Sequence, residues 1–333
     1  MNFKDRIYGC LAGLALGDAL GMPTEMLTPE QIKSEFGWVD HPVRAPGWHP
    51  HKAFAAGQIT DDTGQMLAIA HAIGEDGKLT ASSAAAGLLE WAEQAGESLP
   101  VILGPSTCRA LDRLKAGEDP RLSGQTGTTN GAAYRAVPVG LVNFDQPELR
   151  MQQVVEACLP THGTCVAISG AATVAWAVAE ALTGRASLES ILAAAKQGAE
   201  QGRQYGNWIW GTPLEKRIDL AVRLVHENSR PPAALAALYD FVGVGMETAE
   251  SVATVFGVIC LAEGDPMLAV TYAANIGGDT DTIAALAGAI CGAWRGIEAI
   301  DRKMLAQVTK VNHIHLYAEA TRLDNLIKHR SIA

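Results

Sequence analysis

Aromatic side chains are scarce in this chain: Phe, Trp and Tyr together make up 6% of it, although 48% is hydrophobic. The apolar mass is therefore Ala and aliphatic residues, with 34 glycines among them, a balance that suits closely packed helices better than a β-sandwich. Convincing strand alternation is absent. Basic residues are in deficit, 26 against 36 acidic ones, for a formal net charge of −10. That excludes the electrostatic footprint of a nucleic-acid binder and a polybasic membrane patch. No apolar run reaches membrane-spanning length, because Gly and polar residues interrupt every candidate. The first residues lack a basic, apolar, small-residue signal pattern. None of the six cysteines lies in a C-x-x-C pair, so they read as reduced core residues of a cytoplasmic protein. The Gly/Thr loop Gly124 to Gly131 has no Walker lysine and is not a triphosphate loop. It precedes a helix starting at Ala132 and reads equally well as a phosphate cradle or a plain surface loop.

Carboxylates and hydroxyls at two helix starts stand out instead. Gly277-Gly278-Asp279-Thr280-Asp281-Thr282 leads into an Ala/Gly-rich stretch, Ile283 to Trp294, that reads as a buried helix. Thr60-Asp61-Asp62-Thr63 precedes the apolar helix Met66 to Ile73. One Asp or Thr suffices to cap a helix, so each start carries more oxygen than capping needs. If the two starts face each other, four carboxylates converge, and they cannot all stay ionised without cations between them. Every donor in the set is a hard oxygen, which selects Mg²⁺, Mn²⁺ or Ca²⁺ over Zn²⁺ or Cu²⁺. The clusters lie more than two hundred residues apart. A shared site thus requires one all-α domain spanning residues 1–333.

The remaining pattern is helical. A first helix covers Lys4 to Leu20, and Thr28-Pro29-Glu30-Gln31 has the form of a capping box with Pro at the first helical position. Further helices are expected over Thr80 to Ala95, Ser106 to Lys115, Thr164 to Leu182, Ser187 to Gln201, Pro213 to Glu227, Ile300 to Val308 and His315 to Lys328. Taken alone, Asp18 reads as a surface residue, Glu25 as a loop charge and His162 as a structural histidine at a helix start. The loop 38–58 carries His41, His49 and His51 with Trp38 and Trp48; it suggests a lid or second metal site, but ordered coil is the better reading. Tyr205, Trp208 and Trp210 read as satellite core rather than a base-stacking surface.

Four ordered blocks together resemble the ADP-ribosylglycohydrolase family: Gly17-Asp18 through Glu25, Thr60 to Thr63, Thr129-Asn130-Gly131 through Arg135, and Gly277 to Thr282. Thr161-His162 and Gly243 to Val252 follow in the same order, so the resemblance covers nearly the whole chain. It implies a compact multi-helix fold and two divalent cations, usually Mg²⁺ or Mn²⁺. The metal ligands it implies are Thr60, Asp61, Asp62, Asp279, Asp281 and Thr282. Glu25 corresponds to a glutamate that sits near the scissile bond or gates the cleft; Asp61, Glu25 and Asp281 are the candidates for catalytic proton transfer, Asp281 being the one most committed to metal. Asp18, Asn130, Gly131 and His162 are implied as substrate-binding. Tyr134 stands where Met is expected.

The activity implied is hydrolysis of a ribosyl glycosidic bond, with ADP-ribosylated protein as substrate and arginine favoured over serine as the modified residue. A free nucleoside or other small ribosyl compound is the alternative substrate, and a non-catalytic relative the alternative of another class.

Overall fold

A four-glycine stripe brings the two ends of the chain together. Helix α1 (Phe3–Gly21) carries Gly9, Gly13, Gly17 and Gly21, spaced four apart and so on one face. Helix α15 (Thr280–Arg295) lies antiparallel against that face. A Cβ at any of the four would overlap main-chain atoms of α15: at Gly292 and Gly296, at Gly288, at Ala284, and at Thr280 and Asp281. The converse holds for Gly288 and Gly292 against Gly13 and Gly9. Backbone-to-backbone approach over this length sets the register of the pair, and with it the position of the α15 start beside the α1 end.

The computed structural model describes residues 2–228 and 230–330. The fold is all-α; among the described residues only two isolated β-bridges occur, Thr129 with Glu247 and Thr164 with Asn207. Around α1 and α15 the chain lays down α2 (Pro29–Phe36), α3 (Asp61–Ala72), α4 (Ala81–Ala95), α5 (Leu99–Ile102), α6 (Pro105–Lys115), α7 (Gly131–Val142), α8 (Pro147–His162) and α9 (Cys165–Ala181). It continues with α10 (Leu188–Gly202), α11 (Leu214–Glu227), α12 (Pro231–Ala237), α13 (Thr248–Leu261), α14 (Pro266–Ala274), α16 (Arg302–Asn312) and α17 (Leu316–Arg330). One contiguous apolar core runs from Ile7 to Ile327. The expected capping box closes α2, with Thr28 and Gln31 each serving the other's backbone.

Two expectations fail. Trp208 and Trp210 are 75% and 85% exposed rather than satellite core. Their loop is pinned from behind: Asn207 N donates to Gly163 O at 2.8 Å, and Ile209 N contacts Cys165 Sγ at 3.3 Å, so both indoles point to solvent. Asp18 is fully buried rather than at the surface. No described helix is long and apolar enough to cross a membrane.

Candidate metal centre and cleft

The starts of α3 and α15 meet. Thr60 ends the approach to α3, and its Oγ1 lies 3.2 Å from Asp62 Oδ2 and 3.2 Å from Asp281 Oδ2, so one hydroxyl stands between the early and the late cluster. Asp61, Asp62, Asp279, Asp281 and Thr282 all border one narrow cleft, together with Glu25, Asn130 and Gly131. Helix N-termini favour negative charge through their free N–H groups and dipole, which places four carboxylates at two helix starts at lower cost than elsewhere. One oxygen each from Glu25, Asp279 and Asp281 lies within 4.8 Å of the others, the only such His/Cys/Asp/Glu group among the described residues. Asp62 Oδ1 is buried without a hydrogen-bond partner.

Burial raises the proton affinity of these groups, and neighbouring charge adds to it. Asp61 is pushed up to about 7 by burial, against the opposing hydrogen bond from Tyr134 and with the charge of Asp281 adding to the rise. Burial first and the Asp281 charge second hold Glu25, Asp62 and Asp279 well above the usual carboxylate range. An orphaned buried oxygen beside crowded carboxylates is the chemistry of a cation site built from hard donors.

Two residues expected to touch substrate lie one layer behind the cleft. Both oxygens of Asp18 are committed to α3: Oδ1 accepts from Thr60 N at 2.7 Å and Thr60 Oγ1 at 2.9 Å, while Oδ2 accepts from Thr63 N at 3.0 Å and from the Thr63 hydroxyl. Asp18 thus caps α3 from α1 and orients Thr60. His162 is equally buried; its Nε2 meets Thr129 Oγ1 at 2.9 Å and its Nδ1 meets Thr161 Oγ1 at 2.8 Å. Burial and the nearby Arg135 and Arg109 hold it well below the usual histidine range, so the neutral ring supports the floor under Gly131. Gly124 and Gly127 pack on the main chain of residues 159–162, which makes the 124–131 loop a packed wall.

The contacts of several contributors were not legible in the sequence. Tyr134 borders the cleft and donates its hydroxyl to Asp61 Oδ2 at 2.7 Å. Gln65, one turn after Asp61, donates to the same oxygen at 2.5 Å and accepts from the fully buried Arg135 at its Oε1. Arg135 also donates to Thr107 and Thr161, so among the described residues this guanidinium is met by neutral oxygens rather than by a carboxylate. Asn130 donates to Asp279 Oδ2 and to Ser251 Oγ. Spacing hinted only at Gln65, four residues from Asp61 on the same helix face. Among the described residues the histidines of the 38–58 loop belong to no metal-holding group; His49 and His51 turn inward against Glu25. A larger groove of about 890 Å³ lies on the other side of α3, between α4 and α17, but it gathers no comparable set of carboxylates.

Comparison with known proteins agrees with this geometry. The family model described as ADP-ribosylglycohydrolase matches residues 1–331. The chain is 35% identical to the uncharacterized protein YegU of Escherichia coli (strain K12) over 324 residues, 96% of each chain. It is 27% identical to the ADP-ribosyl-dinitrogen reductase glycohydrolase of Rhodospirillum rubrum, covering 92% of this chain and 91% of that one. A solved structure described as an ADP-ribosylglycohydrolase-related protein complex superposes with a TM-score of 0.72 at 27% identity, over 98% of this chain and 99% of that one. An all-α body with two acidic helix starts facing each other, matched by the family model from end to end, makes this chain a member of the ADP-ribosylglycohydrolase family.

Proposed function

We propose that the protein is a metal-dependent hydrolase of a ribosyl glycosidic bond, removing ADP-ribose from a modified protein side chain, with arginine favoured over serine. The observation that supports this most is the Thr60 hydroxyl set between Asp62 and Asp281, which joins two acidic helix starts into one site. Thr60, Asp61, Asp62, Asp279, Asp281 and Thr282 would hold two divalent cations, Mg²⁺ or Mn²⁺. The oxygen-only donor set fits those ions, as does the partnerless Asp62 Oδ1. Bound there, a pair of such ions supplies a clamp for vicinal hydroxyls, such as those of ribose, and compensates charge at reacting oxygens.

The chain's own residues do the rest. Water adds its oxygen to the anomeric carbon and loses a proton. The glycosidic bond breaks with its electron pair passing to the leaving nitrogen or oxygen, which gains one. We assign these proton transfers to Glu25 and Asp61. Both border the cleft and carry the carboxylate that such a transfer needs. Tyr134 and Gln65 occupy Oδ2 of Asp61 and so fix which oxygen is turned to the cleft. Asn130 and Gly131 border the sugar's path, and Ile102 and Met246 narrow it against bulk water. The six unpaired cysteines fit a reducing compartment, and we place the activity in the cytoplasm.

The test is release of ADP-ribose from arginine- and serine-modified protein, and of base from free nucleosides, with and without Mg²⁺ or Mn²⁺. Cation-dependent release from arginine-modified protein is expected, and Asp281→Asn should lower kcat by about 100-fold or more while circular dichroism stays unchanged. Normal turnover by D281N overturns the site. Base release from nucleosides alone moves the substrate to the small ribosyl class. Cation binding with no hydrolysis across the panel leaves a non-catalytic relative.

A further inference from the structure

Glu25 differs from the other cleft carboxylates in what holds it. Asp61, Asp62, Asp279 and Asp281 stand at the starts of long helices. Glu25 follows a single 3₁₀ turn, Met22–Thr24, and precedes Met26, which has a φ of 64°. A methionine in the left-handed region carries a local cost, so the surrounding structure must hold this segment in place. Part of the hold is main chain: Met26 N donates to Gly278 O at 2.7 Å. Gly278 N returns a bond to Leu27 O at 2.9 Å, and a further part comes from the 38–58 strap, a stretch between α2 and α3 without long helices of its own.

Two histidines of that strap are almost fully removed from solvent, with His49 at 1% and His51 at 0% exposure. His49 Nε2 lies 2.7 Å from the Glu25 carbonyl oxygen, and its Nδ1 accepts from His51 N at 3.1 Å. His51 Nε2 lies 3.5 Å from Glu25 Oε2 and 3.2 Å from Val101 O, while its Nδ1 lies 3.2 Å from Met22 O. The Met22 and Val101 carbonyl oxygens can only accept, so the ring is held between main-chain acceptors on both sides, with Glu25 Oε2 beside its Nε2. The ring stacks on Phe54, centroids 5.2 Å apart and planes 9° from parallel, which fixes its orientation. Among the described residues, the one basic side chain paired with the Glu25 carboxylate is His51.

We propose that the strap is a positioning element of the cleft. His51 sets the direction of the Glu25 carboxylate, and His49 pins its main chain. Neither ring borders the cleft, so both act through Glu25 and are positioning residues. The proposal rests on the glycosidase reading for its kinetic consequence, but not for its structural one.

Two isosteric variants separate the nitrogens. In His51→Gln the amide reaches the Nε2 position and keeps a donor toward Glu25. In His51→Asn it reaches only the Nδ1 position, keeps the Met22 contact and withdraws the donor from Glu25. Expected for H51N is a loss of about tenfold or more in kcat with KM within twofold, and for H51Q a kcat within threefold of wild type. In a Glu25→Gln background H51N should add less than twofold, because both changes disable one device. A merely structural histidine gives equal effects in H51N and H51Q, or effects that multiply with E25Q; either result overturns the proposal. A second readout needs no turnover. In a crystal structure of H51N the Glu25 carboxylate should swing away from Asp279 and Asp281, whereas in H51Q it should stay; an unmoved Glu25 in H51N overturns the proposal. A wild-type protein that cleaves no ribosyl substrate ends the glycosidase reading, and the diffraction comparison still decides the role of His51.

Discussion

Removing divalent cations should make the protein's stability fall as pH rises, and restoring them should cancel that fall. An aspartate that titrates at 3.8 in the unfolded chain and at about 7 when folded, as Asp61 does, binds its proton more tightly in the fold. Its contribution is fully present below pH 3.8 and is lost as pH rises through about 7. Each such proton changes the unfolding free energy by about 1.4 kcal/mol per pH unit inside that window. Between pH 5.5 and 7 one proton amounts to about 2 kcal/mol, or roughly 3 °C in Tm for a chain of 333 residues. Asp18, also pushed up to about 7 by burial, acts in the same direction, as do Glu25, Asp62 and Asp279, all held well above the usual carboxylate range. A cation at 100 times its Kd adds about 2.7 kcal/mol, and more at high pH, because the ligands must be ionised to bind it. The assay is scanning calorimetry from pH 5.5 to 8 in chelator and in Mg²⁺ or Mn²⁺, on wild type and on Asp62→Asn. The chelated wild type should lose several degrees across the range, the loaded protein should not, and D62N should lessen the slope of the chelated curve. A chelated Tm independent of pH, or cation stabilisation equal at pH 5.5 and 8, would refute the reasoning.

Other perturbations follow from particular contacts. Gly13→Leu forces a side chain into the α15 main chain at Gly288 and should cost about 3 kcal/mol or more, read as a drop in denaturation midpoint together with loss of cation binding. Tyr134→Phe removes one hydroxyl from Asp61 and nothing else; kcat should fall and the acid limb of the pH–rate profile move, with Tm within about 2 °C because a single hydrogen bond nets only about 1 kcal/mol. Trp208→Ser with Trp210→Ser should leave stability within about 0.5 kcal/mol, since both indoles are in solvent; a large loss by urea titration would mean that they are covered in solution.

The acidic helix starts, the capping box at Thr28 and the helical class were legible because each is local. A cap joins residues three apart, and a helix face repeats within four. Residue identity alone thus determined that two oxygen-rich helix starts exist. Which side chains face the cleft was another matter. From Gly9 onward helix α1 is lined with small and apolar residues on every side, so its pattern there has no polar face to say that Asp18 points at Thr60 and Thr63, over forty residues away. The same holds for Tyr134 with Asp61, for His51 with Glu25 and for the exposed indoles of Trp208 and Trp210. These partnerships depend on where distant segments come to rest. That was decided in three dimensions, above all by the glycine faces of α1 and α15, which allow the two backbones to touch and so carry Asp281 to Thr60.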